Sequence, residues 1–222
     1  MIRRGIDILV AGGLLVVAAP AMAVIATLNW IMTRRVFYAQ PRVGRGLAPF
    51  VIVKFQTMTD GAPSTTVTAR GDRRITPLGR LLRALKLDEL PQLINVLRGE
   101  MSLVGPRPLT PNEVAAIPPA LARQIYATSP GMTGIGTLAF LDEERRLGAY
   151  EDPEAAYFSI VLPQKAALEA AYAQRKTWLT DLVILALTPL AGCSGTLRRS
   201  VVTWLVPEGE GVSRHDNPAI AP

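Results

Sequence analysis

Residues 87–108, LDELPQLINVLRGEMSLVGPRP, decide the fold of this chain, because they place a turn, a helix, a strand and a stiff loop in direct succession. After Pro91, the spacing of the apolar residues predicts a short helix that ends near Leu97. Gly99 follows as the C-cap, a position where glycine adopts the required backbone without strain. Residues 102–104 then predict a short strand.

The strand leads into the loop Gly105-Pro106-Arg107-Pro108. Two prolines restrict the backbone on either side of Arg107. A guanidinium held in a fixed position is well suited to bind phosphate. We therefore predict that Arg107 is a phosphate-binding residue.

Asp88 and Glu89 open the same stretch. Most adjacent acidic pairs lie on a solvated surface, so the pair alone is a weak signal. Here it lies between a basic helix that carries Arg83 and the loop that carries Arg107. A carboxylate that attacks a diphosphate needs its charge repulsion offset, which Mg²⁺ and basic side chains do. These residue types fit that chemistry without proving it.

Upstream, Thr76 and Pro77 are typical of a helix start, with Thr76 as N-cap. Leucines follow at helical spacing, and basic residues alternate with them. Such a helix could lie in a membrane interface or pack as an ordinary core helix, and the pattern leaves both open. Residues 60–74 before it are polar and predict a surface loop.

Further upstream, residues 36–38 and 50–53 predict two short strands. Pro41 and Gly44-Arg45-Gly46 predict the turn between them. The hairpin ends at Lys54, and the simplest reading of that lysine is a solvated side chain at a strand end.

At the N-terminus, residues 6–32 are long and apolar enough to enter a bilayer. Arginines flank the segment on both sides, so no charge bias favours a straight span. Pro20 near its middle favours a kink. We predict a re-entrant helix broken at Pro20. A plain transmembrane anchor and a signal peptide cleaved after Ala21-Met22-Ala23 are the alternatives.

On the C-terminal side, residues 129–134 predict a turn-rich loop. Residues 153–176 predict a helix with a break near Pro163, and residues 178–192 a second apolar helix too short to span a bilayer. The tail after residue 207 predicts disorder.

Composition narrows the class of protein. The formal net charge is +6, which suits anionic lipids, nucleotides or nucleic acid. Aromatic residues make up only 6% of the chain, which argues against a nucleic-acid binder that stacks bases. A single cysteine, Cys193, excludes an intrachain disulfide, and a single histidine, His215, leaves no histidine metal cluster.

Residues 87–108 closely resemble the signature of the bacterial sugar transferases, also called monotopic phosphoglycosyl transferases. The resemblance extends over roughly residues 1–190. It includes the strand-turn-strand block that ends in Lys54-Phe55-Gln56-Thr57-Met58, and Pro130-Gly131-Met132-Thr133-Gly134. Tyr172, Trp178 and Asp181 also fit the family's C-terminal pattern.

The resemblance implies a reaction. Asp88 would be the nucleophile on the β-phosphate of a UDP-sugar, UMP would leave, and polyprenyl phosphate would then take the sugar phosphate. Glu89 would complete the catalytic pair, Mg²⁺ would be the cofactor, held by Asp88 and by Glu89 as a second candidate ligand, and Arg83, Arg107 and Lys54 would contact phosphate. The family's helix break near a proline matches Pro20.

The chain also departs from the family pattern. Leu141 replaces an expected arginine, and Arg145 or Arg146 are candidate substitutes. Glu169 replaces a shorter acidic residue. Because this region could help to select the sugar, the sequence names neither the sugar nor the glycan pathway.

We therefore predict an α+β protein. It has a re-entrant membrane helix (1–35), a compact, mostly helical domain with a small hairpin and interfacial amphipathic helices (36–192), and a partly disordered tail (193–222). The expected location is the cytoplasmic face of a bacterial inner membrane, among membrane lipids and without nucleic acid. A homodimer is one oligomeric state considered. The alternative function is a non-catalytic scaffold with this fold.

Overall fold

The computed structural model describes residues 2–59, 72–188 and 195–206. Its elements are mixed helix and strand, with helices predominating. They are α1 (Ile2–Thr33), β1 (Phe37–Val43), β2 (Pro49–Phe55), α2 (Pro77–Ala84), α3 (Gln92–Arg98), β3 (Ser102–Val104), α4 (Pro111–Ala115), α5 (Pro119–Ile125), β4 (Gly131–Thr133), α6 (Ile135–Ala139), α7 (Glu143–Leu147), α8 (Pro153–Ala156), α9 (Leu162–Arg175), α10 (Trp178–Leu187) and α11 (Gly195–Leu205).

Helix α1 is the one helix in the described residues that is long and apolar enough to cross a membrane. It runs without interruption from Ile2 to Thr33 and includes Pro20. Helical structure therefore continues through the proline where a break was predicted. Most of its apolar side chains are exposed.

Both halves of α1 nevertheless contact the domain. Near the N-terminus, Asp7 accepts hydrogen bonds from the Ser102 hydroxyl at 2.8 Å and from the Leu103 amide at 3.0 Å. In the C-terminal half, Ile25 packs with Phe55 and Leu82 in a small cluster. The helix therefore lies along the domain instead of leaving it from one end.

Strands β1 and β2 form the predicted antiparallel hairpin, with Tyr38 opposite Lys54. Pro41 lies inside β1, so its assignment to the turn was wrong. The turn is formed by Gly44 and the 3₁₀ turn Arg45–Leu47, in which Gly46 adopts φ 66°. The predicted strands were also too short at the turn end.

Helix α2 begins as predicted, since the Thr76 hydroxyl accepts a hydrogen bond from the Gly79 amide at 2.8 Å. Leu82 is buried, whereas Leu81 and Leu85 are more than half exposed. The helix therefore packs on the domain through one side and leaves an apolar side uncovered. This pattern favours the interfacial reading over an ordinary core helix.

Strands β3 and β4 pair in parallel, with Ser102 opposite Gly131 and Val104 opposite Thr133. Strand β4 lies inside the segment predicted as a loop. Three residues are too few to show strand periodicity in sequence, which explains the error. The surrounding core combines apolar side chains from the hairpin and from helices between α1 and α11.

The helical segment predicted at 153–176 comprises α8, a π-helical turn at Tyr157–Val161, and α9. Pro163 follows that irregularity, but the backbone stays helical through it, so the predicted break is present only as a change of helix type. Helix α10 confirms most of the second apolar helix, whose last residues lie outside the described ranges, as does the tail after residue 207. Residues 195–206 were assigned to the tail, yet Val202 and Leu205 are buried in the main core.

Asp181, which fits the family's C-terminal pattern, has a structural environment. It pairs with Arg3 from α1. It also accepts a hydrogen bond from the Tyr172 hydroxyl at 3.1 Å and lies 3.9 Å from the Lys176 ammonium nitrogen. These contacts join α10 to the start of the apolar helix.

Candidate active site

The site is organised around a buried ion pair between β2 and the turn before α3. The Nζ atom of Lys54 lies 2.9 Å from Oε1 of Glu89, and less than a fifth of either side chain is exposed. The simple reading of Lys54 as a solvated lysine is therefore wrong. Glu89 is placed by the 3₁₀ turn Leu87–Glu89, which follows Lys86 in a left-handed conformation (φ 57°).

The pKa values of both partners are lowered, for different reasons. Burial by itself would raise the pKa of Glu89, but the cations Lys54, Arg107 and Lys86 outweigh it and lower the pKa to about 2. Burial and the neighbouring Arg107 also lower the pKa of Lys54, although Glu89 opposes the shift. Burial is thus the main cause for Lys54 and the surrounding cations are the cause for Glu89, which is ionised at neutral pH.

Asp88 lies in the same turn and is only 6% exposed. Burial and the adjacent Glu89 raise its pKa, while Lys54, Arg83 and Lys86 oppose the change. Its Oδ1 atom is buried and has no hydrogen-bond partner among the described residues. A buried carboxylate oxygen without a partner is costly, so its presence indicates a site that a ligand completes.

The loop that carries Arg107 is fixed by close backbone packing. The Gly131 amide donates to the Pro106 carbonyl at 2.9 Å, and the Tyr126 hydroxyl donates to the Arg107 carbonyl at 2.8 Å. A Cβ added to Gly131 would lie 2.0 Å from the Gly105 nitrogen, so this approach requires glycine. The backbone of Arg107 is thus held from two sides.

The Arg107 guanidinium has no hydrogen bond or ion pair with any described residue. Burial would lower its pKa, but the carboxylates of Glu89 and Glu143 outweigh burial and raise it. A fixed, charged and unpaired guanidinium is a ready binding group for an anion such as phosphate.

These residues surround one cleft. Three of its lining side chains are cationic and one, Glu89, is anionic, so the cleft is electropositive. The lining residues are Arg42, Ile52, Lys54, Glu89, Gln92, Arg107, Pro108, Gly131 and Met132. Asp88 adjoins Glu89 in the chain but is not part of this lining.

Arg83 is in a different position from the one predicted for it. Its guanidinium pairs with Glu144 of α7. The neighbouring Glu143 pairs with buried Lys165 of α9. Arg83 still contributes to the charge around Asp88. Arg145 and Arg146 lie on the same short helix and are exposed, which does not decide whether either replaces the arginine expected at Leu141.

Sequence reasoning missed three residues of the site. Arg42 and Gln92 line the cleft, and Asn95 joins α3 to β2 by accepting from the Val53 amide at 3.3 Å and donating to the Val51 carbonyl at 2.8 Å. The available signal was weak. Gln92 and Asn95 are polar residues within an apolar helix, and Arg42 lies on a predicted hairpin.

The donor set fits Mg²⁺, although the structure carries no metal. No group of three or more histidine, cysteine, aspartate or glutamate residues is found in the described part of the chain. Mg²⁺ at phosphate sites commonly takes only one or two carboxylates and completes its shell with substrate and water. Asp88, with its unpartnered oxygen, and Glu89 are a set of that kind.

An exposed apolar helix beside an electropositive cleft with two carboxylates defines a class of protein compatible with membrane association and suited to binding phosphate esters. The pattern of the bacterial sugar transferases matches residues 1–195, and the chain belongs to that family.

Among known proteins, the chain is 42% identical over 140 residues to a UDP-glucose:undecaprenyl-phosphate glucose-1-phosphate transferase of Caulobacter vibrioides, covering 60% of this chain and 52% of that protein. It is 29% identical to the exopolysaccharide production protein ExoY of Sinorhizobium fredii over 86% of this chain and 85% of that one. A UDP-N-acetylgalactosamine-undecaprenyl-phosphate N-acetylgalactosaminephosphotransferase of Aeromonas hydrophila is 41% identical over 48% of this chain and 26% of its own length. The chain spans about half the length of the first of these relatives.

Proposed function

We propose that this chain transfers a sugar-1-phosphate from a UDP-sugar to polyprenyl phosphate and releases UMP, as an early membrane step in the synthesis of a cell-surface glycan. The observation that carries the proposal is buried Asp88, with an unpartnered carboxylate oxygen, beside the Lys54–Glu89 pair and unpaired Arg107. The names of the relatives support the same donor class, lipid acceptor and exopolysaccharide setting.

In the proposed mechanism, a carboxylate oxygen of Asp88 attacks the β-phosphorus of the donor. A new P–O bond forms, the bond from that phosphorus to the bridging oxygen breaks, and UMP leaves with the electron pair. A phosphate oxygen of the lipid then attacks the same phosphorus, and the Asp88 carboxylate is released. Asp88 must be ionised for the first step, so its raised pKa sets a lower limit on the working pH.

The surrounding residues position and stabilise charge. Arg107 and Lys54 would offset the negative charge that develops on the leaving phosphate. Glu89, kept ionised by Lys54, would assist at the acceptor or hold Mg²⁺ together with Asp88. Bound Mg²⁺ would supply charge neutralisation on the diphosphate.

The contacts of α1 favour a monotopic arrangement, and the proposed use of a UDP-sugar favours the cytoplasmic face. Asp7 and Ile25 both contact the domain, although they lie at opposite halves of the apolar helix. A straight span would carry one half away from the domain, so a re-entrant or bent path in the bilayer fits these contacts better. Exposed Leu81 and Leu85 on α2 would then rest on the same interface.

The experiment is UMP release by the purified full chain in nanodiscs with Mg²⁺, undecaprenyl phosphate and a panel of UDP-sugars. We expect lipid-dependent release from one sugar, and we expect Asp88→Asn to abolish it while Glu151→Gln, a control at an exposed carboxylate, retains it. Incubation with donor alone should add the mass of one sugar phosphate to the intact wild-type protein. Release of UDP would contradict the mechanism. If the folded protein releases no nucleotide from any of the UDP-sugars, the scaffold alternative is favoured.

A further inference from the structure

Three buried side-chain atoms lack a hydrogen-bond partner among the described residues, and all three lie in or beside the cleft. They are Asp88 Oδ1, Arg42 Nε and Gln92 Nε2. Asp88 has a role in the proposed function, whereas Arg42 and Gln92 do not. Buried polar groups are nearly always paired, so their concentration at one place calls for an explanation.

Gln92 gives the stronger argument, because its side chain makes no hydrogen bond with any other residue that the structure describes. It is 2% exposed at the first residue of α3, and its side chain lines the cleft. An apolar residue could fill this position without leaving a donor unsatisfied. Retaining an amide here costs folding free energy unless something outside the protein accepts its hydrogen bond.

Arg42 reaches the cleft from β1. One terminal nitrogen donates to the Pro108 carbonyl at 3.1 Å and lies 3.4 Å from Glu113, and the other donates to Gln40 at 2.6 Å. These contacts fix the guanidinium and leave its Nε–H unused. The cleft thus presents an amide donor and a fixed Nε–H, together with the charges of Lys54 and Arg107.

We propose that Gln92 is a substrate-binding residue that donates a hydrogen bond to a phosphoryl oxygen, with Arg42 Nε as a second donor to the same group. Donors without acceptors, in an electropositive cleft, match a ligand that offers only acceptors and carries negative charge. This assignment rests on the proposed function, in which that oxygen belongs either to the UDP-sugar diphosphate or to the lipid phosphate.

The test replaces Gln92 by methionine, which has a similar shape and no donor. Because the amide is unsatisfied in the unliganded protein, we expect Gln92→Met to raise the thermal unfolding temperature slightly and to weaken phosphate binding about tenfold or more. The matched control is Gln124→Met. The Gln124 amide donates to the Ala170 carbonyl at 3.1 Å, so this change should lower stability and leave phosphate binding unchanged.

Binding of UDP and of inorganic pyrophosphate is measured on the full chain in nanodiscs, together with KM for the UDP-sugar and for undecaprenyl phosphate. Weaker UDP and pyrophosphate binding with a raised donor KM assigns the oxygen to the donor. A raised acceptor KM alone assigns it to the lipid. Weaker UDP binding with unchanged pyrophosphate binding would overturn the proposal in favour of a base contact.

The proposal would also be overturned if Gln92→Met left ligand binding and both KM values unchanged, whatever its effect on stability. If stability falls and nothing else changes, Gln92 has a structural role only. A wild-type protein that neither binds UDP nor releases UMP would instead refute the proposed function. The two failures are therefore distinguishable.

Discussion

At the level of single residues, the charge state of Glu89 depends on Lys54. Their ion pair joins two residues 35 positions apart in the chain, and the lysine is the first of the cations that hold the pKa of Glu89 at about 2. Burial acts in the opposite direction, so removing the lysine would raise the pKa of Glu89. The ionisation of Glu89 therefore rests on a tertiary contact.

We predict that Lys54→Met moves the acidic limb of the pH–rate profile for UMP release upward by about one pH unit or more. Asp88 must be ionised to attack, and Lys54 opposes the rise in its pKa, so removing the lysine raises that pKa further and Asp88 takes up a proton at higher pH. Lys54→Arg keeps the charge and should keep the limb near its original pH. An unchanged limb in Lys54→Met would show that Asp88 is not the group whose ionisation limits the rate at low pH.

Gly131 determines how closely β4 approaches the Arg107 loop. We predict that Gly131→Ala lowers stability by about 2 kcal/mol and reduces activity, because the new Cβ would overlap the Gly105 nitrogen. Thermal unfolding and UMP release measure the two effects. Gly12→Ala is the control, since nothing lies within 4 Å of a Cβ built there. If both variants have the same unfolding temperature and the same UMP release, β4 and the Arg107 loop can move apart without loss of stability.

At the level of elements, the open edge of β2 is completed by a side chain. Asn95 bonds the Val53 amide and the Val51 carbonyl, and its amide also donates to Glu100 at 2.7 Å. The Asn95 side chain thus makes hydrogen bonds of the kind that a neighbouring strand would make, and it links the hairpin to α3. Because Lys54 follows Val53 and Glu89 precedes α3, the same link sets the spacing of the ion pair.

Asn95→Ala is expected to lower the free energy of unfolding by about 2 kcal/mol, since it leaves partly buried backbone groups of β2 without their side-chain partner. UMP release should fall as Lys54 loses its fixed position. Thermal unfolding in detergent and the release assay measure both quantities, with exposed Asn112→Ala on α4 as the control. A stable variant with full activity would show that the hairpin holds its place without Asn95.

At the level of the whole molecule, α1 is part of the domain's packing as well as an apolar segment. Arg4 donates to the carbonyls of Val96 and Leu97 at the end of α3, and Asn29 donates to the Val36 carbonyl at 3.4 Å. Polar contacts at both ends of one apolar helix place both ends beside the same domain.

This arrangement predicts that both ends of α1 face the cytoplasm. In a Cys193→Ser background, Gly5→Cys and Met32→Cys should both react with a membrane-impermeant thiol reagent in inverted membrane vesicles and both be protected in right-side-out spheroplasts. Labelling of the two cysteines from opposite sides would establish a straight span.

Much of the local structure follows from sequence alone. The Thr76-Pro77 start of α2, the Gly99 end of α3 and the irregularity before Pro163 depend on residues near in sequence. Capping and backbone restrictions act over one helical turn, so a linear pattern contains them. The sequence also identified the family, and Asp88, Glu89 and Arg107 as its candidate site.

The tertiary structure alone decided the contacts that give those residues their properties. It paired β3 with β4, joined Lys54 to Glu89, directed Arg83 toward Glu144, and placed Arg42 and Gln92 in the cleft with unused donors. Burial and charge at a site are sums over segments that are distant in the chain. Periodicity and short motifs do not show how far apart these segments lie in space. The environment of each site residue is therefore determined only when the segments pack together.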